Sequence, residues 1–408
     1  MRTNALNVDS RHHHHHRTLR LLLLVACVFV AAVPRAYAQD PSVRDVLSFL
    51  VTNQQVQTGD FVKDRAAAEA TRDTIARALL VELATLPIST SSGGFTYRLN
   101  PALGTIERVS QTFGPFFVDR AVTAGRRQSS VGMTFRRSSF DTLDGRDLDD
   151  GTFVTTANRF RTDPGPFDVE ALTLNVSTST LTFVGNYGVT DSLDIGAAVP
   201  VVTLQLDGER INTYNGESFV QARGTSNVTG LADIAIRAKY HFYKAGPQGV
   251  AAGVEVRLPT GSVEDIRGAG DAGVKLSAVG SLGQGNVESH LNVSFTEGGI
   301  SRELGLAGAV VWAAHPRLTL SGEVLARRVQ ALGRIRDVVE PHPSLNNIDT
   351  LRLVAAGENA TTQFAAVGAK WNAAGSLLLS THLLIPFSDR GFRPGVTAMI
   401  ALDYALAR

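Results

Sequence analysis

The sequence predicts an all-β protein: a transmembrane antiparallel up-and-down β-barrel of about twelve strands, with about fourteen as the alternative, and a short helical N-terminal segment. Three observations lead to this fold class. Apolar and polar residues alternate along many successive segments, these segments are long for strands, and the connections between them are alternately short and long.

The alternation is clearest in residues 231–260. Ile236 and Tyr240 alternate there with Arg237 and Lys239, a turn rich in glycine and proline follows, and the alternation then resumes up to Leu258. Successive side chains of a strand point to opposite faces, so this pattern predicts paired strands with one apolar and one polar face.

Segments of the same kind fill the rest of the chain. Most of them are longer than the five or six residues of a typical soluble strand, and a tilted strand needs about 9–11 residues to cross a hydrocarbon core. The predicted strands are 128–140, 172–186, 191–206, 230–243, 249–259, 271–283, 287–296, 303–313, 317–329, 362–372, 376–386 and 396–406.

The connections are sorted by length. Short turns are predicted near residues 189–192, 245–249, 283–285, 314–316 and 372–375. Long polar loops are predicted at 141–171, 207–229, 260–270, 297–302, 330–361 and 387–395. Short periplasmic turns and longer extracellular loops are typical of outer-membrane barrels, so the apolar face is expected to meet lipid and the polar face to line a lumen.

Aromatic residues near the strand ends predict two belts at the membrane interfaces. Those near short turns are Tyr187, Phe242, Trp312, Trp371 and Tyr404. Those near long loops are Phe140, Phe295, Phe364 and Phe387.

The region before the barrel is expected to have three parts. Residues 1–38 form a signal peptide, with basic residues, an apolar run and a small-residue cleavage site at Ala36 to Ala38. Residues 39–90 repeat apolar positions every three to four residues and are expected to be helical, either as a periplasmic hairpin, which is favoured, or as a plug. Residues 91–127 are an extended linker or luminal segment, and 128–408 form the barrel.

Composition excludes several classes of function. The net charge is +1, so nothing indicates nucleic acid as a partner. The single cysteine, Cys27, lies in the predicted signal peptide, which removes disulfides and thiolate chemistry from the mature chain. No cofactor or metal site is predicted.

Four segments carry a resemblance to a known family: NYGVTDSLDIGAAVP at 186–200, GLADIAIRAKY at 230–240, RLPTG at 257–261 and HPRLTL at 315–320. They resemble recurrent hairpins of predicted bacterial outer-membrane barrels grouped with the meta-pathway phenol-degradation family, often labelled transporters. More distantly, the chain is similar to hydrophobic-substrate channels of the fatty-acid-transporter type, which carry an N-terminal plug. The resemblance implies a barrel and leaves the cargo open.

The polar faces of the predicted strands carry charges of both signs, which predicts either a lumen of weak ion selectivity or ion pairs that fill a narrow barrel. His241, His290 and His382 are candidates for the histidine of a serine hydrolase site, but no Gly-x-Ser-x-Gly motif accompanies them. The predicted lumen-lining residues are Arg237, Lys239, His241, Glu255, Arg257, Lys275, Glu288, His290, Glu303, Glu323 and His382.

These features predict a bacterial outer-membrane channel for the diffusion of small molecules, hydrophobic or aromatic ones among them, and no enzyme. A non-conducting structural or adhesive barrel is the alternative, and an outer-membrane hydrolase comes third. The expected partners are outer-membrane lipid, the barrel-assembly machinery and a small-molecule cargo, while the oligomeric state stays open. The gate is expected in the N-terminal segment or in the loops 207–229 and 330–361.

Overall fold

The computed structural model describes residues 41–52, 56–85, 94, 96–100, 105–108, 110–245, 248–330 and 334–406. The predicted signal peptide and the Gly246-Pro247 turn lie outside the described residues. Neither described helix is long and apolar enough to cross a membrane.

In chain order the elements are α1 (Val43–Thr52), α2 (Phe61–Thr85), β1 (Tyr97–Asn100), β2 (Thr105–Arg108), β3 (Ser129–Leu143), β4 (Arg146–Asp147), β5 (Val154–Phe160), β6 (Pro166–Gly188), β7 (Leu193–Tyr214), β8 (Glu217–Leu231), β9 (Ile234–Ala245), β10 (Gln248–Leu258), β11 (Gly273–Gln284), β12 (Val287–Gly298), β13 (Glu303–His315), β14 (Leu318–Val329), β15 (Arg334–Pro341), β16 (Ile348–Ala356), β17 (Ala360–Asn372), β18 (Leu377–Pro386), β19 (Phe392–Pro394) and β20 (Thr397–Leu406).

Twelve strands form the closed antiparallel barrel: β3, β6, β7, β9, β10, β11, β12, β13, β14, β17, β18 and β20. Each predicted segment overlaps one of them, so the expectation of twelve is confirmed and the alternative of fourteen is wrong. Closure is made by β20 and β3, where Ile400 is the partner of Phe135. A closed barrel leaves no strand edge unpaired, which a hydrocarbon environment requires.

The predicted long loops are only partly loops. Residues 207–229 are the paired outer halves of β7 and β8, with Thr213 opposite Ser218 near the tip. Residues 330–361 contain the hairpin of β15 and β16, and β16 pairs with β5. These strands were not predicted because their outward-facing residues are polar, as expected for strands that extend beyond the membrane into water.

The outer surface changes from apolar to polar at one level of the wall. Phe135, Leu181 and Val201 are cross-strand partners and face outward. Two residues further toward the long loops, the outward-facing partners are polar: Arg137 on β3, Ser179 on β6 and Thr203 on β7. Exposed apolar residues cover the barrel below this level, among them Val131, Met133, Ile195, Ile236, Leu276, Leu291, Leu304, Val324 and Ile400.

Just above this level the inner face of β6 and β7 is apolar over several residues. Leu172, Leu174, Leu204 and Leu206 are buried there, in the same cluster as apolar residues of α1 and α2. The expectation of a polar lumen is therefore wrong for this part of the two strands. Their inner face packs against helices, and apolar contact with the helices replaces contact with water.

Seven of the nine residues in the two aromatic belts are exposed. Phe140 and Phe364 are buried, and their assignment to the outer belt is wrong. Phe140 packs on Phe392 with ring centroids 5.0 Å apart, and Phe364 lies in a cluster with Phe116 and Phe117. Both side chains point inward, where segments distant in sequence cover them.

Candidate functional site: the lumen of the barrel

The segment that precedes β3 runs across the lumen near the short-turn end of the barrel. We call residues 110–124 the arch, because they run without helix or strand from the β14 side to the β7 side. The backbone N–H of Phe113 donates to Thr319 Oγ1 at 3.0 Å, and that of Ala124 donates to Asp194 Oδ2 at 2.9 Å. Both anchoring residues lie next to short turns.

Charged wall residues hold the middle of the arch through its main chain. Glu323 on β14 accepts the N–H groups of Phe116, Phe117 and Val118 at 2.6, 2.8 and 3.0 Å. On the opposite side, the ammonium of Lys239 on β9 donates to two arch carbonyl oxygens at 2.9 and 3.0 Å. Both charged groups keep hydrogen-bond partners although they are buried, so neither is left as an unpaired buried charge.

Ser281, His290 and Glu288 form a succession that resembles a hydrolase triad. Ser281 Oγ lies 2.9 Å from His290 Nδ1, and His290 Nε2 lies 3.7 Å from Glu288 Oε2. Residues of the arch form hydrogen bonds with Ser281 and Glu288, the two outer members of this group. Ser281 Oγ accepts the N–H of Ala121 at 2.8 Å, and Glu288 accepts the hydroxyl of Ser110 at 2.5 Å. The three side chains are buried and brace the arch.

The helices lie at the long-loop end of the barrel. Arg210 on β7 pairs with Glu170 and donates to the carbonyl oxygen of Leu50 in α1 at 2.7 Å. Near the C-terminal end of α2, Glu82 forms a buried ion pair with Arg327 of β14. The large apolar cluster between the helices and the wall fills the β3, β6 and β7 side of the lumen.

Small side chains leave space on the other side. Gly253, Ser277, Ser294 and Gly305 are successive cross-strand partners on β10 to β13, and all face inward. They line a cavity of about 110 Å³ whose opposite wall includes Phe117 of the arch. From β9 to β14 the complete row reads Lys239, Gly253, Ser277, Ser294, Gly305 and Arg327.

Charges alternate in the next row toward the long loops. From β9 to β14 this row reads Arg237, Glu255, Lys275, Thr296, Glu303 and Val329. A second cavity of about 50 Å³ lies above it, bordered by Arg257 and by Val81 of α2. Lys275 and Glu303 line both cavities, so the two spaces are stacked along β9 to β14.

The predicted lumen-lining residues all face inward, and the structure divides them into two groups. Those that border the two cavities are Arg237, Lys239, Glu255, Arg257, Lys275 and Glu303. Those that lie at the level of the arch or below it are His241, Glu288, His290, Glu323 and His382. In the second group, Glu288 and Glu323 bond the arch, and the His382 ring lies against Phe116 with centroids 4.3 Å apart.

Several functional residues were missed. Lys370 on β17 is buried and donates to the carbonyl oxygen of Pro115 at 2.7 Å, and Asp194 and Arg327 also hold the N-terminal segment. The alternation rule that found Lys239 places all three on inward positions, so a complete count of inward charges would have found them. The arch itself carries no periodic pattern.

Closure of the barrel, the apolar outer band and the polar inner rows define a transmembrane β-barrel. The family model described as "Putative MetA-pathway of phenol degradation" matches residues 156–296, which confirms the family resemblance over that part of the chain. No curated protein sequence matches the chain.

Three solved structures similar to this chain are outer-membrane proteins. An outer membrane channel from Pseudomonas putida F1 is 13% identical, with a TM-score of 0.45, and the match covers 70% of this chain and 98% of that one. The β domain of the Bordetella autotransporter BrkA is 10% identical over 69% and 100% of the two chains, with a TM-score of 0.34. The Escherichia coli outer membrane protease OmpT is 10% identical over 68% and 94%, with a TM-score of 0.25.

Proposed function

We propose that the protein is a bacterial outer-membrane channel through which small molecules diffuse, hydrophobic or aromatic ones among them. We propose further that residues 41–127 act as its plug. With short turns on the periplasmic side, the arch lies toward the periplasm, and the two helices lie at the outer end of the lumen.

The observation that carries this proposal is the stack of two cavities along β9 to β14. On the β3, β6 and β7 side the lumen is filled by helices and apolar side chains, whereas here a row of glycines and serines leaves space. Val81 of α2 borders the upper cavity, and Phe117 of the arch borders the lower one. A plug that touches both ends of the residual space is well placed to control a path through it.

The lining of the lower cavity supports a small apolar or aromatic cargo. Its lining includes Phe117, Phe364 and Leu384 on one side and charged residues on the other. Ligand sites commonly combine an apolar surface with a few polar groups that fix orientation. A small molecule with an apolar or aromatic body fits such a lining.

Planar-bilayer recording of the refolded protein tests the proposal. We expect discrete channel events for the native sequence and a several-fold smaller conductance for Ser294→Phe, which fills the row of small residues. Gly322→Phe is the matched control, because Gly322 lies on the outward face of β14 with open space around its Cα. A native protein that gives no events, even after removal of residues 41–90, would favour the non-conducting barrel instead.

A further inference from the structure

Two charged side chains at the junction of the cavities, Lys275 and Glu303, make no hydrogen bond or ion pair with another described residue, although Lys275 has Glu255 as its cross-strand partner. Glu303 Oε2 is buried without a hydrogen bond. Their neighbours differ in this respect. Glu255 is bonded to Arg257 at 3.0 Å, and Arg327 is paired with Glu82.

The two groups face the same gap. Lys275 is the partner of Thr296, and Thr296 is the partner of Glu303, so the ammonium and the carboxylate belong to strands two apart in one row. Neighbouring strands are about 4.8 Å apart, which puts the two backbones about 10 Å from each other. Opposite charges thus stand across a space that borders both cavities and do not bond each other.

A solute with one charge would satisfy only half of this site. An anion on Lys275 would lie near the carboxylates of Glu255, its cross-strand partner, and of Glu303, whereas a cation on Glu303 would lie near the Lys275 ammonium. A solute that carries both charges can pair with both groups at once, and charged hydrogen bonds are the strong ones. The lower cavity, about 110 Å³, corresponds to about four times the volume of a liquid water molecule.

We propose that the junction of Lys275 and Glu303 binds a small zwitterion, with its carboxylate on Lys275 and its ammonium on Glu303. The rest of the solute lies in the lower cavity toward Phe117 and Phe364. This names a substrate class for the proposed channel and rests on that proposal for its role in transport. Binding itself does not require that the channel conducts.

Isothermal titration of the purified full-length barrel in detergent tests the site. The probes are 4-aminobutyrate, butyrate and butylamine, which share a carbon chain and differ in charge. We expect the native protein to bind 4-aminobutyrate about tenfold more tightly than either analogue, which corresponds to one strong charged contact. Lys275→Met should abolish the preference over butylamine, and Glu303→Gln should abolish the preference over butyrate.

The double variant with Lys275→Met and Glu303→Gln should lose both preferences, as expected if each group binds one end of the zwitterion. The matched controls are Glu297→Gln and Arg302→Gln, an exposed ion pair at the edge of the barrel, which should leave binding unchanged. Equal affinity for the three probes, or single variants that bind like the native protein, would overturn the inference. Zwitterion binding in a barrel that conducts nothing would support this site and count against the channel.

Discussion

The carboxylate of Glu323 on β14 accepts the backbone N–H of Phe117 at 2.8 Å, across 206 positions of sequence. Phe116 and Val118 donate to the same carboxylate. The barrel wall therefore recognises the arch mainly through its main chain, and the strongest contact depends on one wall residue whose negative charge matches three consecutive donors.

Glu323→Gln should loosen the arch. The amide retains one acceptor oxygen but lacks the charge, and its NH₂ group cannot accept from a backbone N–H. Loss of charge-assisted hydrogen bonds costs about 2–3 kcal/mol in a buried place. We expect faster hydrogen exchange at residues 116–118 and more frequent openings in bilayer recordings.

Glu217→Gln is the matched control for that experiment, since Glu217 is exposed at the tip of the hairpin of β7 and β8. Unchanged exchange at residues 116–118 in Glu323→Gln would mean that the apolar contacts of Phe116 and Phe117 suffice to hold the arch.

Gly224→Leu should displace α1 from the wall. A Cβ at Gly224 would lie 2.8 Å from Val46 Cγ1, so any larger side chain must push the helix inward. Overpacking of this kind costs about 1–3 kcal/mol. In a Cys27→Ala background, a cysteine in place of buried Thr71 should react faster with a thiol reagent when Gly224→Leu is present.

Gly322→Leu provides the comparison for the glycine experiment, because a Cβ there meets nothing within 4 Å. Equal labelling rates in the two glycine variants would show that α1 does not hold α2 in place.

The barrel strands were predictable because each meets lipid on one face and polar groups on the other. This environment imposes a period of two, as in residues 234–245, where Ile236 is 50% exposed and Arg237 is 8% exposed. In β6 and β7 the environment changes within one strand. Leu181 faces outward and Leu174 inward, so the apolar face changes sides. The predicted strands 172–186 and 191–206 therefore end short of the outer ends of β6 and β7.

The arch could not be predicted from the sequence for a different reason. Glu323 and Lys239 bond to its peptide groups, and peptide groups are the same in every sequence. No side-chain pattern marks a segment that is recognised in this way. The inward charges could be predicted, but which of them bond the arch and which border a cavity depends on contacts between distant parts of the chain.

The ion pair of Glu82 and Arg327 should couple α2 to the wall. Glu82→Gln leaves a buried guanidinium with Thr362 Oγ1, at 2.7 Å from its Nε, and with the Phe364 ring. Breaking a buried pair costs about 3–5 kcal/mol, whereas replacing both partners by apolar residues is often neutral. Urea unfolding should show a large loss for Glu82→Gln and recovery for the double variant with Glu82→Leu and Arg327→Met.

Comparing the stabilities of these variants shows whether the ion pair holds α2 against the wall. If Glu82→Gln is as stable as the native protein, the pair contributes nothing to docking of α2. Arg223→Gln serves as control, since Arg223 pairs with Glu209 on the exposed outer side of the hairpin.

Acid should weaken the contact between α2 and β15. Lys63 donates to Glu340 at 2.8 Å, and this hydrogen bond lowers the pKa of Glu340 and raises the pKa of Lys63. A lowered carboxyl pKa stabilises the contact above the ordinary glutamate value of about 4.3, and the contribution is lost as pH falls through the lowered value. A raised lysine pKa keeps it present until alkaline pH.

Both partners are exposed, so the effect is local and small. Proteolysis or hydrogen exchange at residues 56–65 should therefore rise as pH falls below about 4 in the native protein. In Glu340→Gln it should be higher at neutral pH and should change little with acid. A native profile that stays flat down to pH 3 would contradict the role of this pair.

The level at which the outer wall changes character predicts where the lipid ends. Val201 and Thr203 lie on the same outward face of β7, two residues apart, and their partners on β8 are Leu231 and Thr229. Single cysteines at positions 201 and 203, labelled with a fluorophore in a Cys27→Ala background, should differ in quenching by lipid-bound and aqueous quenchers. Residues two apart lie about 7 Å from each other along a strand, which is about 5 Å in height for a strand tilted by about 40°. We therefore expect the label at 201 to respond to the lipid-bound quencher and that at 203 to respond mainly to the aqueous one. Labels at 181 and 179 on β6 should repeat this difference, because Leu181 and Ser179 are cross-strand partners of Val201 and Thr203. Equal lipid quenching at 201 and 203 would place the boundary higher and would put the helices within the membrane level of the barrel.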